Sequence, residues 1–431
     1  MQNLAPGALV ADPDYYGSLA AVRDLGRVGI AVAVADHPAG SKSASSRYCQ
    51  WQETAPPTRD RVAFLAWLKA FGQRHPGWVL YPTSDDLAWL MAAHQDELRP
   101  LFRLYQPPAS AVLALVDKAQ MHAHALAAGL RTPLTFSPTS MADVRELALR
   151  VRAQDFPLIV KPRTQTGTRT AVKGLVAQHA GELEAVVGEF LNRHTYQATF
   201  LEDAPPDIVW PLLQQFLPDA QANTHSLSGF IDASGALRTV RACVKLYQQP
   251  VKVGVGIAFE SRAVVDALAQ GVERMARATG YFGVFEAEFI HVQQDDQYFL
   301  MDFNPRYYGQ MHFATCRGMS LAQMVHAAAH GDVARLDALV QRSEQLRLQA
   351  TDSSIQHFCN RWLFRTLLWA QRLKGALSAA DHRAWHRWMH TGQVFDFVFD
   401  PDDPEPWRTD QRLYWRNWLC HPRASFRELF Q

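Results

Sequence analysis

The segment Tyr298-Phe299-Leu300-Met301-Asp302-Phe303-Asn304-Pro305-Arg306 carries an acid, a carboxamide and a guanidinium at alternate positions. Its aromatic and apolar content predicts a strand, in which successive side chains face opposite ways. Asp302, Asn304 and Arg306 then share one face, and Met301 and Phe303 the other. Phe285-Glu286-Ala287-Glu288-Phe289-Ile290 repeats the scheme, with Glu286 and Glu288 opposite Phe285, Ala287 and Phe289. Two such strands side by side would turn several carboxylates and a carboxamide toward one space. Acids that close repel and force a pKa upward unless a cation lies between them. An oxygen-only set of this kind suits magnesium bridging to substrate phosphates. The same alternation also describes hairpin strands whose acids face water, and the spacing alone leaves both readings open.

Upstream, Leu158-Ile159-Val160-Lys161-Pro162-Arg163 places Lys161 at the end of an apolar strand, followed by Thr164-Gln165-Thr166-Gly167-Thr168. Backbone N–H groups in such a loop can lie over phosphate oxygens, with the lysine as a point charge. Each unit-charge contact is worth roughly 4 kcal/mol at an effective dielectric near 20, before desolvation is subtracted. A plain hairpin end fits the same residues. If the loop does close over a ligand, its small flexible residues predict a lid.

The elements that must position these groups begin with strand, helix, strand: Ala8 to Ala11, Gly17 to Val28, and Ile30 to Ala35. That βαβ unit implies a parallel sheet. Trp78 to Tyr81 is a further strand, ending in Pro82-Thr83-Ser84-Asp85-Asp86 where open α/β sheets hold ligands. The first turn has no GxGxxG, which argues against a dinucleotide site. A helix through Asp117-Lys118 and Leu126 stops at Gly129, and a domain boundary is expected near residue 112. From Pro157 onward, short strands (Leu158 to Val160, Leu212 to Leu217, Ser226 to Ile231, Leu237 to Val244) and turns such as Asp232-Ala233-Ser234-Gly235 predict an antiparallel sheet with flanking helices. The expected fold class is thus α/β followed by α+β. Beyond about residue 345, Trp362, Trp369, Trp385, Trp388, Trp407, Trp415 and Trp418 crowd together, and Arg361 to Leu377 reads as a basic, apolar helix. They predict the aromatic core of a helical C-terminal extension rather than a membrane-surface helix.

The chain has 431 residues and a formal net charge of +1, enough for two or three domains and without a global pull toward nucleic acid or anionic membrane. Small molecules are the expected partners. Cys49, Cys243, Cys316, Cys359 and Cys420 are scattered and never form CxxC, so neither zinc nor a disulfide framework is indicated. A reducing cytoplasm fits best, and no apolar run is long enough to span a membrane. Cys243 and Cys316 read as buried structural residues with no adjacent base, and His225, His291 and His312 as packing or substrate-contact residues. Tyr307, Tyr308, Gly309, Gln310 and His312 follow Arg306 closely enough to line an acceptor pocket.

Taken in order, Pro82-Thr83-Ser84-Asp85, Asp117-Lys118, Val160-Lys161-Pro162, Gln214-Gln215-Phe216-Leu217-Pro218, Gly283 through Glu288-Phe289, and Asp302-Phe303-Asn304-Pro305-Arg306 resemble the ATP-grasp superfamily. The likeness is to its carboxylate–amine ligases with a biotin-carboxylase-like or carbamoyl-phosphate-synthase-like arrangement, and it spans residue 8 to about residue 330. With the boundary near residue 112 and the composition shift toward the C-terminus, the expected domains are 1–112 (N-terminal α/β), 113–340 (ATP-grasp, with lobes 113–210 and 211–340) and 341–431 (the Trp-rich helical extension). The resemblance implies that Lys118 and Lys161 contact ATP phosphates, with Thr166 and Gly167 in the phosphate loop. Gln214, Gln215, Phe216 and Leu217 would form the adenine-binding hinge. Glu288, Asp302 and Asn304 would hold Mg2+, Arg306 would stabilise the acyl phosphate and tetrahedral intermediate, and Arg241 and Lys245 would supply further cations. Three positions depart from the pattern: Asp302 stands where a glutamate is usual, Gln214 and Gln215 stand where a glutamate is frequent, and no acid occurs within Ala220 to Ser226 to take the ribose hydroxyls. The implied reaction is ATP-dependent joining of a carboxylate to an amine, with amino acids or peptides as substrates and ADP and phosphate as products; many members are homodimers. The rival readings are a bicarbonate-activating, carboxylase-like enzyme and a non-catalytic ATP-binding scaffold.

Overall fold

A computed structural model of the chain describes residues 6–170, 172–217, 219, 223–249, 254–349 and 355–430. Five short strands come first: β1 Ala8–Val10, β2 Val32–Asp36, β3 Trp51–Thr54, β4 Trp78–Leu80 and β5 Phe102–Arg103. Their order is β3-β2-β1-β4-β5, and every neighbouring pair is parallel. The helices Tyr16–Gly26 and Arg61–Arg74 bury apolar faces against this sheet. β3, with the half-polar sequence Trp-Gln-Glu-Thr, was not expected; as an edge strand it leaves alternate residues exposed. The strand order reverses direction at β1 and β4, and there Thr83 Oγ1 donates to the carbonyl of Ala11 (3.0 Å).

Next come β6 Thr135–Phe136, β7 Leu158–Lys161, β8 Thr168–Thr170, β9 Leu175–Ala177, β10 Thr195–Tyr196 and β11 Leu212–Gln215. Four of them make an antiparallel sheet, β6-β11-β7-β9, while β8 and β10 pair separately. Leu158, Val160 and Leu213 pack with Leu183, Val187 and Phe190 of the helix Leu183–Arg193. Alternation therefore puts Lys161 and Gln214 on the other face.

The largest sheet contains β12 Thr224–Ile231, β13 Leu237–Gln249, β14 Val255–Arg262, β15 Gly283–Val292, β16 Gln297–Asn304, β17 Gln356–Cys359 and β18 Gln393–Asp396. Its order is β16-β15-β12-β13-β14-β17-β18, antiparallel except for the last pair. Phe285, Ala287, Phe289 and Phe303 close a core with Leu268, Val272, Met275 and Ala276 of the helix Asp266–Thr279. The fold is thus a parallel α/β layer, antiparallel sheets and C-terminal helices. Among the described residues no helix is long and apolar enough to cross a membrane, and all five cysteines are free.

Several expectations are corrected. The C-terminal segment is not purely helical, because β17 and β18 extend the central sheet. Trp385, Trp388 and Trp418 do pack around a local core with Phe364 and Leu367, Trp362 packs instead against Tyr414, and Trp369 and Trp415 are exposed. Met301 does not share a face with Phe303: the register shifts between Glu288 and Phe289, so Leu300 and Phe303 both enter the core and Met301 is left out of it.

Candidate active site

In the β15–β16 pair, Glu288 lies opposite Asp302 and Glu286 opposite Asn304, so the acids and the carboxamide share one face while the phenylalanines hold the other. Lys118, first residue of the helix Lys118–Ala127, forms an ion pair with Asp302. That helix is fixed at its start by Asp117, which caps Ala119 N (3.0 Å) and receives Arg163 Nε at 2.8 Å. Burial works against the charge on Asp302, but Lys118, Lys161 and Arg306 outweigh it and hold the carboxyl below its ordinary range. Asp302 is thus an anion facing Lys118, Lys161 and Arg306.

Lys161 donates to Gln214 Oε1 (2.7 Å), and Gln214 Nε2 donates to His122 Nε2 (3.1 Å) and Thr135 Oγ1 (2.9 Å). Burial and Lys118 push the Lys161 ammonium down to about 7 despite the pull of Asp302. Burial, Lys161 and Lys118 push His122 down to about 3, so its imidazole is neutral and can accept from Gln214. Sequence reasoning missed His122, yet it lies one helical turn after Lys118, on the same face.

Arg306 is held by Asp85 (Nε to Oδ1, 2.6 Å; Nη2 to Oδ2, 3.1 Å) and donates to Asn304 Oδ1 at 2.9 Å. Burial alone would lower its pKa, but Asp85, Glu286 and Asp302 more than compensate, so it stays charged. Asp85 opens the helix Asp85–Ala93 directly after β4, so the carboxyl end of the first sheet reaches the arginine at the end of β16. Glu286 is buried; burial first and Glu288 second push its pKa up. It takes Ser226 Oγ (2.7 Å), Asn304 Nδ2 (3.1 Å) and Gln310, and so fixes which way the Asn304 amide points.

The remaining residues singled out by the sequence are placed as follows. Lys245, on β13, shares a face with Glu288 by register through β12. Arg241 lies on that face too, but its guanidinium turns to the helix Val333–Gln349, where Nη2 donates to the Ser343 carbonyl at 2.6 Å. Gln215 and Phe216 donate their backbone N–H groups to the carbonyls of Leu134 (2.8 Å) and Pro157 (3.0 Å), and Leu217 follows them. Pro218 and Ala220 to Ala222 lie outside the described residues. Asp219, an acid just before the stretch thought to lack one, accepts from Asn223 Nδ2 at 3.4 Å.

The Thr164–Thr168 loop departs from the flexible lid expected of it. Gly167 N donates to Asp86 Oδ1 (2.7 Å), Gln197 N donates to the Gly167 carbonyl (2.8 Å), Tyr196 Oη donates to the Thr164 carbonyl (3.1 Å), and Thr166 N donates to Thr164 Oγ1 (3.1 Å). Gly167 has φ of 67°, and a Cβ there would lie 2.2 Å from Phe200 Cγ. Gly167→Ala is therefore expected to destabilise by about 2–4 kcal/mol through left-handed strain and overpacking. Urea unfolding checks this, and an unchanged midpoint would mean that the loop is not anchored as described.

Tyr307 and Tyr308 do not line an open pocket: both are buried in the core, with Tyr307 packed 5.6 Å from Tyr81 between ring centroids. His312 is also buried. Cys316 does have a nearby base, His312 Nε2 at 3.5 Å, but burial pushes the thiol up to about 12 and the imidazole down to about 3, so the pair does not ionise.

Glu288, Asp302 and Asn304 supply oxygen donors only, which fits a hard divalent cation. Among the described residues no group of three or more His, Cys, Asp or Glu side chains is placed to hold a metal. Two carboxylates and one amide suit magnesium, which commonly takes its other ligands from phosphates and water.

No family model matches the sequence, and neither does any curated protein. The structure is similar to the biotin carboxylase–β-γ-ATP complex of Campylobacter jejuni, with 14% identity, 80% of this chain and 72% of that one covered, and a TM-score of 0.56. It is also similar to the N5-carboxyaminoimidazole synthetase of Staphylococcus aureus, with 14% identity, 76% and 78% covered, and a TM-score of 0.54. The L-amino acid ligase of Bacillus licheniformis matches with 13% identity, 75% and 74% covered, and a TM-score of 0.52. The likeness is one of fold, and this chain has the ATP-grasp fold.

Proposed function

We propose that the protein is an ATP-dependent carboxylate–amine ligase acting on amino acids or peptides. The observation that carries the reading is the convergence of Lys118, Lys161 and Arg306 from different elements around Asp302 and Asn304. Lys118 and Lys161 bind the phosphates of ATP, and the Gln214–Leu217 segment meets the adenine. Thr166 and Gly167 belong to the phosphate loop, and Lys245 and Arg241 lie on the flank. Glu288, Asp302 and Asn304 would hold Mg2+, which when bound neutralises phosphate charge.

The substrate carboxylate attacks the γ-phosphorus, the bond to the β–γ bridging oxygen breaks, and ADP leaves. The neutral amine nitrogen then attacks the acyl carbon, Arg306 opposes the negative charge on the tetrahedral oxygen, the C–O bond to phosphate breaks, and the amine's proton leaves with the phosphate or to solvent. For Arg306 to do so, an anionic substrate must share or displace Asp85. Holding both reactants in place can supply about 7–11 kcal/mol of the barrier reduction.

Phosphate release from ATP should require a carboxylate and an amine together, and hydroxylamine should trap the activated acid as a hydroxamate. Binding of ATP without turnover across a broad panel of amino acid pairs would favour the non-catalytic scaffold instead. Release driven by bicarbonate alone would favour the carboxylase-like reaction.

Lys161 also sets a proton count. With its pKa at about 7, it is mostly neutral in the free protein at higher pH, and a bound triphosphate restores the charge. Once the ionisation of ATP's own terminal phosphate is subtracted, ATP binding near pH 8 is expected to take up about one proton and near pH 6 close to none. Calorimetry in buffers of different ionisation heat measures this; equal uptake at both pH values would remove Lys161 from the nucleotide site.

A further inference from the structure

A second concavity lies where the first sheet meets the end of the chain. Its two sections have volumes of about 720 and 320 Å³, and His37 and Arg416 border both. One wall is the carboxyl end of β2 with the loop that follows it; the other is the helix Glu405–Cys420. The carboxyl ends of parallel strands are where open α/β sheets hold ligands. The Asp12–Tyr16 turn separates this groove from the ATP-handling centre: Asp12 and Tyr15 feel the charge of Arg306, whereas Asp14 and Tyr16 line the groove.

Most charges in the groove are satisfied internally. Asp14 accepts from His37 at 2.7 Å, Lys42 reaches Asp410 at 3.3 Å, and Arg412 donates to Glu405 at 2.8 Å. Two groups are left over. Asp36, the last residue of β2, is only 7% exposed and lines the groove, yet among the described residues no hydrogen bond or ion pair is found for its carboxylate. Arg416 is exposed on the opposite wall, with no hydrogen bond or ion pair found for it among the described residues. A largely buried acid without a counter-charge is costly, and a ligand ammonium in the groove would supply one.

We propose that this groove binds a small zwitterion with a free amine and a free carboxylate, an α-amino acid or short peptide. The ammonium meets Asp36 and the carboxylate meets Arg416. Tyr16, Trp362 and Tyr414 line the smaller section and offer an aromatic surface to a large side chain. The site goes beyond the ligase reading and does not depend on it. Its walls come from opposite ends of the chain, so an occupant also clamps the C-terminal segment to the first sheet.

Calorimetric titration of the full-length protein without nucleotide, using L-phenylalanine and alanyl-phenylalanine, should show saturable binding that raises Tm. N-acetylphenylalanine and phenylalanine amide each lack one charge and should bind about tenfold or more weakly. Asp36→Asn and Arg416→Gln should each weaken binding by about tenfold or more, with ATP binding unchanged. Arg306→Met, which disables the other centre, should leave this binding intact. No binding at millimolar ligand overturns the proposal. Binding indifferent to both groove substitutions, or to loss of the ligand's charges, overturns it too. If Asp36→Asn does not fold, the exposed Arg416→Gln decides alone.

Discussion

Arg306→Met is expected to lower kcat for ligation by about 10²- to 10³-fold, the loss of about 2.7–4 kcal/mol found when one charge-stabilising donor is removed from such a centre. KM for ATP should change little, because the phosphates are assigned to Lys118 and Lys161. Arg306→Lys should recover little of the loss: the guanidinium uses Nε and Nη2 on Asp85 and Nη2 again on Asn304, a fork that an ammonium cannot reproduce. Asp85→Asn keeps the shape but removes the competing anion, so it should lower the KM of the carboxylate substrate while moving kcat far less than Arg306→Met does. Turnover by Arg306→Met within a few-fold of the parent would take Arg306 out of the chemistry. An Asp85→Asn variant as slow as Arg306→Met would instead make the Asp85–Arg306 pair a positioning device.

What the sequence made legible was local and periodic. The alternation along Phe285–Phe289 faces Glu286 and Glu288 away from the phenylalanines, as register with β16 requires. The slip at Met301 was not legible, because a bulge adds a residue without changing composition. Lys161 stood out as the polar end of an apolar run. Its partner Gln214 is more than fifty positions away and meets it only through β7–β11 pairing. Asp85 was read as part of a strand-end motif, but nothing local reveals that it spans to Arg306. The anchoring of the Thr164–Thr168 loop is hidden for a related reason: small residues permit mobility, yet Asp86, Tyr196 and Phe200, all distant in sequence, fix it. Tyr307 and Tyr308 follow the reactive segment directly and still turn into the core, because the chain bends from strand to helix there.

Asp403→Ala is expected to destabilise the protein by about 3–5 kcal/mol, the range for breaking a buried ion pair from one side. Arg23, on the first helix, and Asp403 are each 1% exposed at the side chain, with Nε 2.9 Å from Oδ2. The same carboxylate accepts from Ser46 Oγ at 2.7 Å and Arg47 N at 2.8 Å, and Arg23 Nη2 donates to the Val398 carbonyl at 2.8 Å. One acid therefore joins the first helix, the Ser41–Tyr48 segment and the C-terminal segment. Alanine removes it and strands a guanidinium without its counter-charge, a larger penalty than the pair's own net worth. Two comparisons separate that cause from simple loss of packing. Asp403→Asn retains the acceptor oxygen and should lose less, and Arg23→Met combined with Asp403→Leu should recover much of the loss, since no buried charge remains. Urea unfolding gives the midpoints, and limited proteolysis shows whether the C-terminal segment comes away first. If Asp403→Ala unfolds at the parent's midpoint, the segment is held by its apolar contacts and by β17 pairing to β14, and the ion pair is incidental to that attachment.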